Sequence, residues 1–205
     1  IEKVNEGQKS LSVPLTIQSL SALMARSGNN VDRAEVTIVI PAYNNFYEVA
    51  MCIESITSFA SRTYYTIIIA DDNSPDFNFT VLNVLSDVRV IRNKENLGYI
   101  KNVNNAAKNI ETPLILTLNQ DTVVCPGWLD ELVAEMGRSE HNAIVGPRIL
   151  NSSFDILEAG ACIYQGAFAS HRGRGSKADA PQFSFTCDID YVSGCAMLMK
   201  TDVWR

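Results

Sequence analysis

Long apolar runs are missing from this chain of 205 residues, and none approaches the roughly 18 needed to span a bilayer. The opening residues, IEKVNEGQKS, also lack the basic-then-apolar order of a secretion signal. These two absences lead to the expectation of a cytoplasmic chain with no transmembrane segment, associated with the inner face of a membrane only through the rest of a parent protein. Basic patches are missing as well. The net charge is -6 and Lys and Arg are scattered, with HRGRG at 171–175 the one short exception, which argues against a nucleic-acid partner. There is no C-x-x-C. The five cysteines (Cys52, Cys125, Cys162, Cys187, Cys195) are odd in number and widely spaced, so neither a disulfide framework nor a zinc site is indicated, and they read as reduced packing residues. No internal repeat and no low-complexity tract occurs.

What is present is 46% apolar and 20% charged, enough to bury the core of one domain with an appended segment. Residues 1–34 stand apart: Ile17, Leu20, Leu23 and Met24 form a helical-period apolar face that stops at SGNN, a helical lead-in and linker. From Glu35, strand-like and helix-like runs alternate, the pattern of β-α-β units and a parallel sheet. VTIVIPAY (36–43), YTIIIADDNS (65–74), VRVIRN (88–93), PLILTLNQDT (113–122) and AIVGPRI (143–149) are predicted strands. Helices are predicted over 48–60, 79–86, 98–110 and 126–139, the last with Pro126 near its first turn, where a missing N–H costs little.

Polar residues gather where the strands end: Tyr43 and Asn44, Asp71 and Asp72, Asn96, and Asn119 to Asp121. In an open α/β sheet the ligand crevice lies outside those ends. Asp121 reads either as a helix cap or Asx-turn, or as a ligand of Mg²⁺ or Mn²⁺, which take few protein carboxylates and fill their shell with water and phosphate oxygens. Asp71 and Asp72 read either as members of a polar turn or as part of an acidic cluster that wants a cation, with no cationic partner nearby in sequence. A carboxylate there can also accept from the N3–H of uracil or thymine, or from a ribose hydroxyl, with the base packed on Pro41-Ala42-Tyr43.

VTIVIPAYNN, IIIADDNSPD, NKENLGYIKNVNNA, LILTLNQDTVVCPGWL and DYVSGCAMLMKTDVW, in that order over residues 36–204, resemble glycosyltransferase family 2, especially its bacterial rhamnosyltransferase-like and polysaccharide-assembly branch. The resemblance implies a GT-A fold: α/β, Rossmann-like, with a mostly parallel central sheet flanked by helices, here over 35–205. It also implies inverting transfer of a sugar from a UDP- or dTDP-type nucleotide-diphosphate donor to a saccharide or lipid-linked acceptor hydroxyl, with Mn²⁺ or Mg²⁺ on the diphosphate. Carried over, Pro41, Ala42 and Tyr43 cradle the nucleotide, and Asp72 contacts the pyrimidine with Asp71 beside it. Asn96, Gly98, Lys101 and Asn104 match the N-x-G-x-x-x-x-x-N segment lining the donor site. NQDT stands at the D-x-D-like position, with Asn119 and Gln120 on the donor side and Asp121 the metal ligand; Gln120 replaces the first Asp of many members and lowers the local charge.

On the acceptor side the resemblance selects Asp188, Asp190, Ser193 and Gly194, and HRGRG reads as a Gly-rich loop able to fold over the diphosphate. Inversion needs a general base. The family's base comes from a G-F-D-E and E-D segment not found up to Arg205, so the expectation is a domain lacking its C-terminal part, with no catalytic base assigned. Two rivals are a non-catalytic nucleotide-sugar or carbohydrate-binding domain, and a sugar-phosphate nucleotidyltransferase. The second needs a glycine-rich basic loop, and VIPAYNN has neither glycine nor a basic residue.

Overall fold

Strand alternation sorts the side chains of the central strands into two separate cores. In the computed structural model, which describes residues 31–76 and 78–205, β1 (Val36–Ala42) sends Val36, Ile38 and Ile40 into one core and Val39 into the other. β2 (Tyr65–Asp71) divides likewise, with Ile67 and Ile69 on the first side and Ile68 and Ala70 on the second, and β4 (Leu114–Leu118) sets Leu116 and Leu118 against Ile115. Successive strand residues face opposite sides of a sheet. Continuous apolar runs therefore mean a sheet covered on both faces.

The covers are helices. On the first face, α1 (Phe46–Ser58) buries Val49, Cys52, Ile53 and Ile56, one stripe of helical spacing, and α3 (Trp128–Gly137) adds Leu129, Leu132 and Met136. A 3₁₀ segment, Phe79–Val84, contributes Phe79 and Leu82. On the second face lie α2 (Tyr99–Ala107), with Val103, Ala106 and Ala107, and Trp204 of the short α4 (Thr201–Trp204). Each fully buried aliphatic side chain contributes about 1.5–3 kcal/mol. Among the described residues, no helix is long and apolar enough to cross a membrane.

The sheet runs β3-β2-β1-β4-β10-β5, where β3 is Val88–Arg92, β5 is Ile144–Val145 and β10 is Ala196–Lys200. The first four strands are parallel and β10 is antiparallel to both β4 and β5. Beside it are two small antiparallel pairs: β6 (Ile149–Leu150) with β7 (Ile156–Glu158), and β8 (Ala161–Tyr164) with β9 (Phe168–His171).

Two expectations need correction. AIVGPRI is not one strand: it breaks at Gly146-Pro147 into β5 and β6, which belong to different sheets, and a Cβ on Gly146 would collide with Val192. Residues 79–86 do not form an α-helix but the 3₁₀ segment, whose first turn Asn78 caps by accepting from Thr80 N at 3.1 Å. Of the helical lead-in over 1–34, residues 1–30 lie outside the described residues, and Val31–Arg33 form a 3₁₀ turn.

Candidate functional site

The chain adds β2 and β3 on one side of β1, then crosses to add β4 on the other, so the strand order reverses between β1 and β4. The carboxyl ends of parallel strands splay apart at such a point and leave a crevice. Here the crevice has a volume of about 440 Å³. Pro41, Ala42 and Tyr43 reach it from β1, Asp72 from β2, and Asn119, Gln120 and Asp121 from β4. Seven predicted residues are thus brought together, and Tyr43 keeps 46% of its surface exposed.

The two aspartates at the end of β2 part company. Asp71 is fully buried: its Oδ1 accepts from Ser74 N (2.9 Å) and Ser74 Oγ (2.7 Å), and its Oδ2 pairs with Arg92 Nη1 at 2.6 Å. The cationic partner that is missing nearby in sequence arrives from β3, and Asp71 does not line the crevice. Asp72 does. Its Oδ1 accepts from Asn93 Nδ2 and Leu97 N, and its Oδ2 from Gly98 N, each at 2.8 Å. The carboxylate therefore fastens the loop between β3 and α2. Asn96 Oδ1 accepts from the same Gly98 N at 3.1 Å. Gly98 has φ +75, and a Cβ there would meet nothing within 4 Å, so glycine is required by backbone conformation and not by crowding.

Farther along α2, Lys101 and Asn104 are exposed and, against expectation, stay outside the crevice. The asparagine that enters is Asn102, which is 3% exposed, donates to Ala70 O at 2.7 Å and accepts from Asn93 Nδ2 at 2.9 Å. Its sequence signal is its phase: it shares the buried face of α2 with Val103, Ala106 and Ala107. Tyr99, Asn45 and Glu48 are the other lining residues that no sequence motif singled out.

Gln120 works as a clamp. Its Oε1 accepts from Tyr43 N at 3.0 Å and its Nε2 donates to Glu48 Oε2 at 2.9 Å, while Asn45 Nδ2 donates to the same carboxylate oxygen at 3.1 Å. Asp121 beside it is exposed, and no hydrogen bond or ion pair among the described residues engages its carboxylate. Its charge is nonetheless felt beneath the crevice. The Cys52 thiol is pushed up to about 12, first by burial and then by the charge of Asp121, and the Cys195 thiol is raised by burial, with Asp121 and Glu158 adding to it. Among the described residues, no group of three or more His, Cys, Asp or Glu side chains is placed to hold a metal ion. One unengaged carboxylate does fit the other mode, in which a hard cation takes a single carboxylate and completes its shell with water and phosphate oxygens.

The acceptor-side predictions divide. Gly194 O accepts from Tyr99 OH at 2.9 Å, which ties the segment before β10 to the start of α2 at the crevice. Ser193 N donates to Glu158 Oε1 at 3.1 Å. Asp190 Oδ2 accepts from Ile163 N at 2.7 Å and holds β8, while Asp188 is exposed. HRGRG does not border the crevice: it forms a separate hollow with which the crevice shares no lining residue.

Among known proteins, the family model described as glycosyl transferase family 2 matches residues 37–203. A glycosyltransferase of Haemophilus influenzae, described as uncharacterized, is 26% identical over 117 residues, 54% of this chain and 35% of that protein. The O-antigen biosynthesis protein RfbC of Myxococcus xanthus is 29% identical over 142 residues, 67% of this chain and 11% of that protein. The chain thus spans a minor part of either relative. The structure of GalNAc-T7 with UDP, GalNAc and Mn²⁺ superposes with a TM-score of 0.62 at 14% identity, over 82% of this chain and 35% of that one. At that identity the likeness shows the fold alone, an α/β architecture similar to GT-A glycosyltransferases.

Proposed function

Since the chain belongs to glycosyl transferase family 2, we propose that its domain from residue 35 onward binds a nucleotide-diphosphate sugar and serves inverting transfer of a hexosyl group to an acceptor hydroxyl, assisted by a divalent cation. The acceptor is a saccharide or lipid-linked saccharide of polysaccharide assembly, in keeping with the O-antigen relative. The observation that carries this reading is the crevice at the strand-order reversal, where the ends of β1, β2 and β4 converge on one volume of about 440 Å³. Crevices of this kind receive nucleotides in open α/β sheets.

The roles follow from what each group has left to offer. Tyr43 gives a half-exposed ring for a base to pack on. Asp72 Oδ2 takes one protein donor and retains lone-pair capacity for a pyrimidine N–H, which favours UDP or dTDP donors. Asp121, free of protein donors among the described residues, would hold Mn²⁺ or Mg²⁺ with the diphosphate oxygens, and the bound cation would supply charge neutralisation on the departing diphosphate. Gln120 positions rather than ligates: its amide is used on Tyr43 N and Glu48, which fixes β1 against β4 on either side of the donor. Asn119 N donates to Cys195 O at 2.8 Å and ties the same strand end to β10.

The test is calorimetric titration of UDP, dTDP and GDP with and without Mn²⁺, on the chain and on its Asp121→Ala variant. Metal-dependent binding of one diphosphate that disappears in the variant is the expected result. Binding equally strong without metal and in the variant would remove Asp121 from the donor site, and no binding of any nucleotide would refute the donor crevice.

A further inference from the structure

The HRGRG loop is left unused by the donor reading, yet its backbone is closely fixed. Gly173 and Gly175 have φ +75 and +83, Gly175 N donates to Ile156 O at 2.8 Å, and Ser176 N donates back to Gly173 O at 2.9 Å. A Cβ on Gly173 would press on the Phe183 ring and on Ile156, each at 3.2 Å, so the backbone lies directly against the aromatic ring. Between this loop and the end of β9 lies a hollow of about 540 Å³, lined by Ser170, His171, Gly173, Arg174, Ser176 and Phe183 along with Ala169.

The chemistry of that lining is one-sided. Arg174, His171, Ser170 and Ser176 line the hollow, and among the described residues no Asp, Glu, Asn or Gln does. The neighbouring cations are engaged: Arg148 Nη1 donates to Phe183 O at 2.9 Å, Arg172 Nη1 to Cys187 Sγ at 2.6 Å, and Lys177 pairs with Asp155 at 2.6 Å. Arg174 is exposed and has no hydrogen bond or ion pair among the described residues. Glu158, the acid behind the lining, is 6% exposed; it accepts from Ser193 N at 3.1 Å, and His171 Nδ1 lies 2.8 Å from its Oε2, an ion pair when the imidazole is protonated. An unengaged guanidinium beside the Phe183 ring suits a sugar that carries an oxyanion, because a guanidinium bonds such an anion with charge-assisted strength.

Position gives the hollow its place in the reaction. Glu158 holds Ser193 N, and the next residue, Gly194, accepts from Tyr99 OH at the donor crevice. We propose that this hollow binds the anionic group, phosphate or carboxylate, of the acceptor saccharide. The proposal rests on the transferase reading above and narrows its acceptor to acidic or phosphorylated saccharides.

Imidazole NMR suits the test because the chain has two histidines and His141 is exposed away from this lining. Glucose 1-phosphate, glucuronate and methyl glucoside are titrated in turn, with UDP and Mn²⁺ in a parallel calorimetric titration. The two anionic sugars are expected to move the His171 resonance and leave His141 unmoved, while methyl glucoside moves neither. Arg174→Gln should weaken the anionic sugars by about tenfold, the worth of one charged hydrogen bond, and leave UDP affinity unchanged. The stronger of the two anionic sugars identifies the source as phosphate or carboxylate. Equal responses to methyl glucoside, no response to any saccharide, or displacement of glucose 1-phosphate by UDP would each overturn the proposal, the last by assigning the loop to the donor. Loss of UDP binding with the saccharide response intact would instead sink the donor reading alone.

Discussion

Replacing Asp72 by Asn tests whether one carboxylate both holds the fold and shapes the crevice. Asp72 is 4% exposed and accepts three hydrogen bonds, from Asn93 Nδ2, Leu97 N and Gly98 N. An asparagine keeps one acceptor oxygen and turns an NH₂ group toward at least one of those donors, so at least one bond is lost and a donor is left facing a donor. Hydrogen bonds to charged groups contribute about 1.5–3 kcal/mol each, and an unsatisfied buried donor costs a similar amount. The expected loss is about 3 kcal/mol, which lowers Tm by roughly 6–12 °C in a domain of this size. The assay is thermal and urea unfolding, together with titration of UDP and GDP. Because the loop leads into α2 and the crevice, binding of both nucleotides should fall, with UDP falling further if Asp72 also reads the pyrimidine edge. A variant as stable as the wild type would refute the claim that this carboxylate fastens the 93–98 loop.

Three further outcomes follow from the same geometry. Asp130, in the first turn of α3, accepts from Arg62 N, Ser61 Oγ and Thr63 N; burial alone would raise its carboxyl, but these donors outweigh it and hold it at about 2. Its folded value is depressed, so its stabilisation is present above the unfolded value near 4 and is lost as pH falls through about 2; Asp130→Asn should cost about 1–2 kcal/mol at pH 7 after solvent screening and progressively less in urea titrations toward pH 2. Gly98→Ala should cost about 1–3 kcal/mol in urea unfolding, because φ +75 with ψ 163 is a backbone region essentially confined to glycine, with no clash contributing, and a neutral result would refute that backbone assignment. Iodoacetamide at neutral pH should label exposed Cys125 readily and Cys52, whose thiol is pushed up to about 12, only on unfolding, as peptide mass spectrometry would read.

The strands and most of the crevice were legible because their signals are local. VTIVIPA, YTIIIAD, VRVIR and LILTL are apolar runs that end in polar residues, and the structure ends each strand within a few residues of that change. What the chain could not show locally is which of two adjacent aspartates faces the crevice. Asp71 and Asp72 are consecutive residues at a strand end, where side chains alternate in direction, so one must turn away, and only the arrival of Arg92 from β3 decides which. The break of AIVGPRI was hidden for a similar reason, since Val192, which crowds Gly146, is distant in sequence. Motif spacing points to Asn104 in α2, whereas helix phase points to Asn102, and in the folded chain the phase prevails. The separation of HRGRG from the crevice depends on the small β8–β9 pair, which no single run announces.

The position of β10 has a consequence for how the molecule is made. It inserts between β4 and β5, and its neighbour Cys195 O receives Asn119 N at the crevice wall. A ribosome delivers β4 some eighty residues before β10, so throughout that interval one edge of β4 has no strand to pair with and the wall beside Asp121 is unfinished. An apolar edge left open during synthesis is where a nascent chain is exposed to aggregation. The residues proposed to bind the donor are thus translated early but are brought together late, when the strand that completes their wall has emerged.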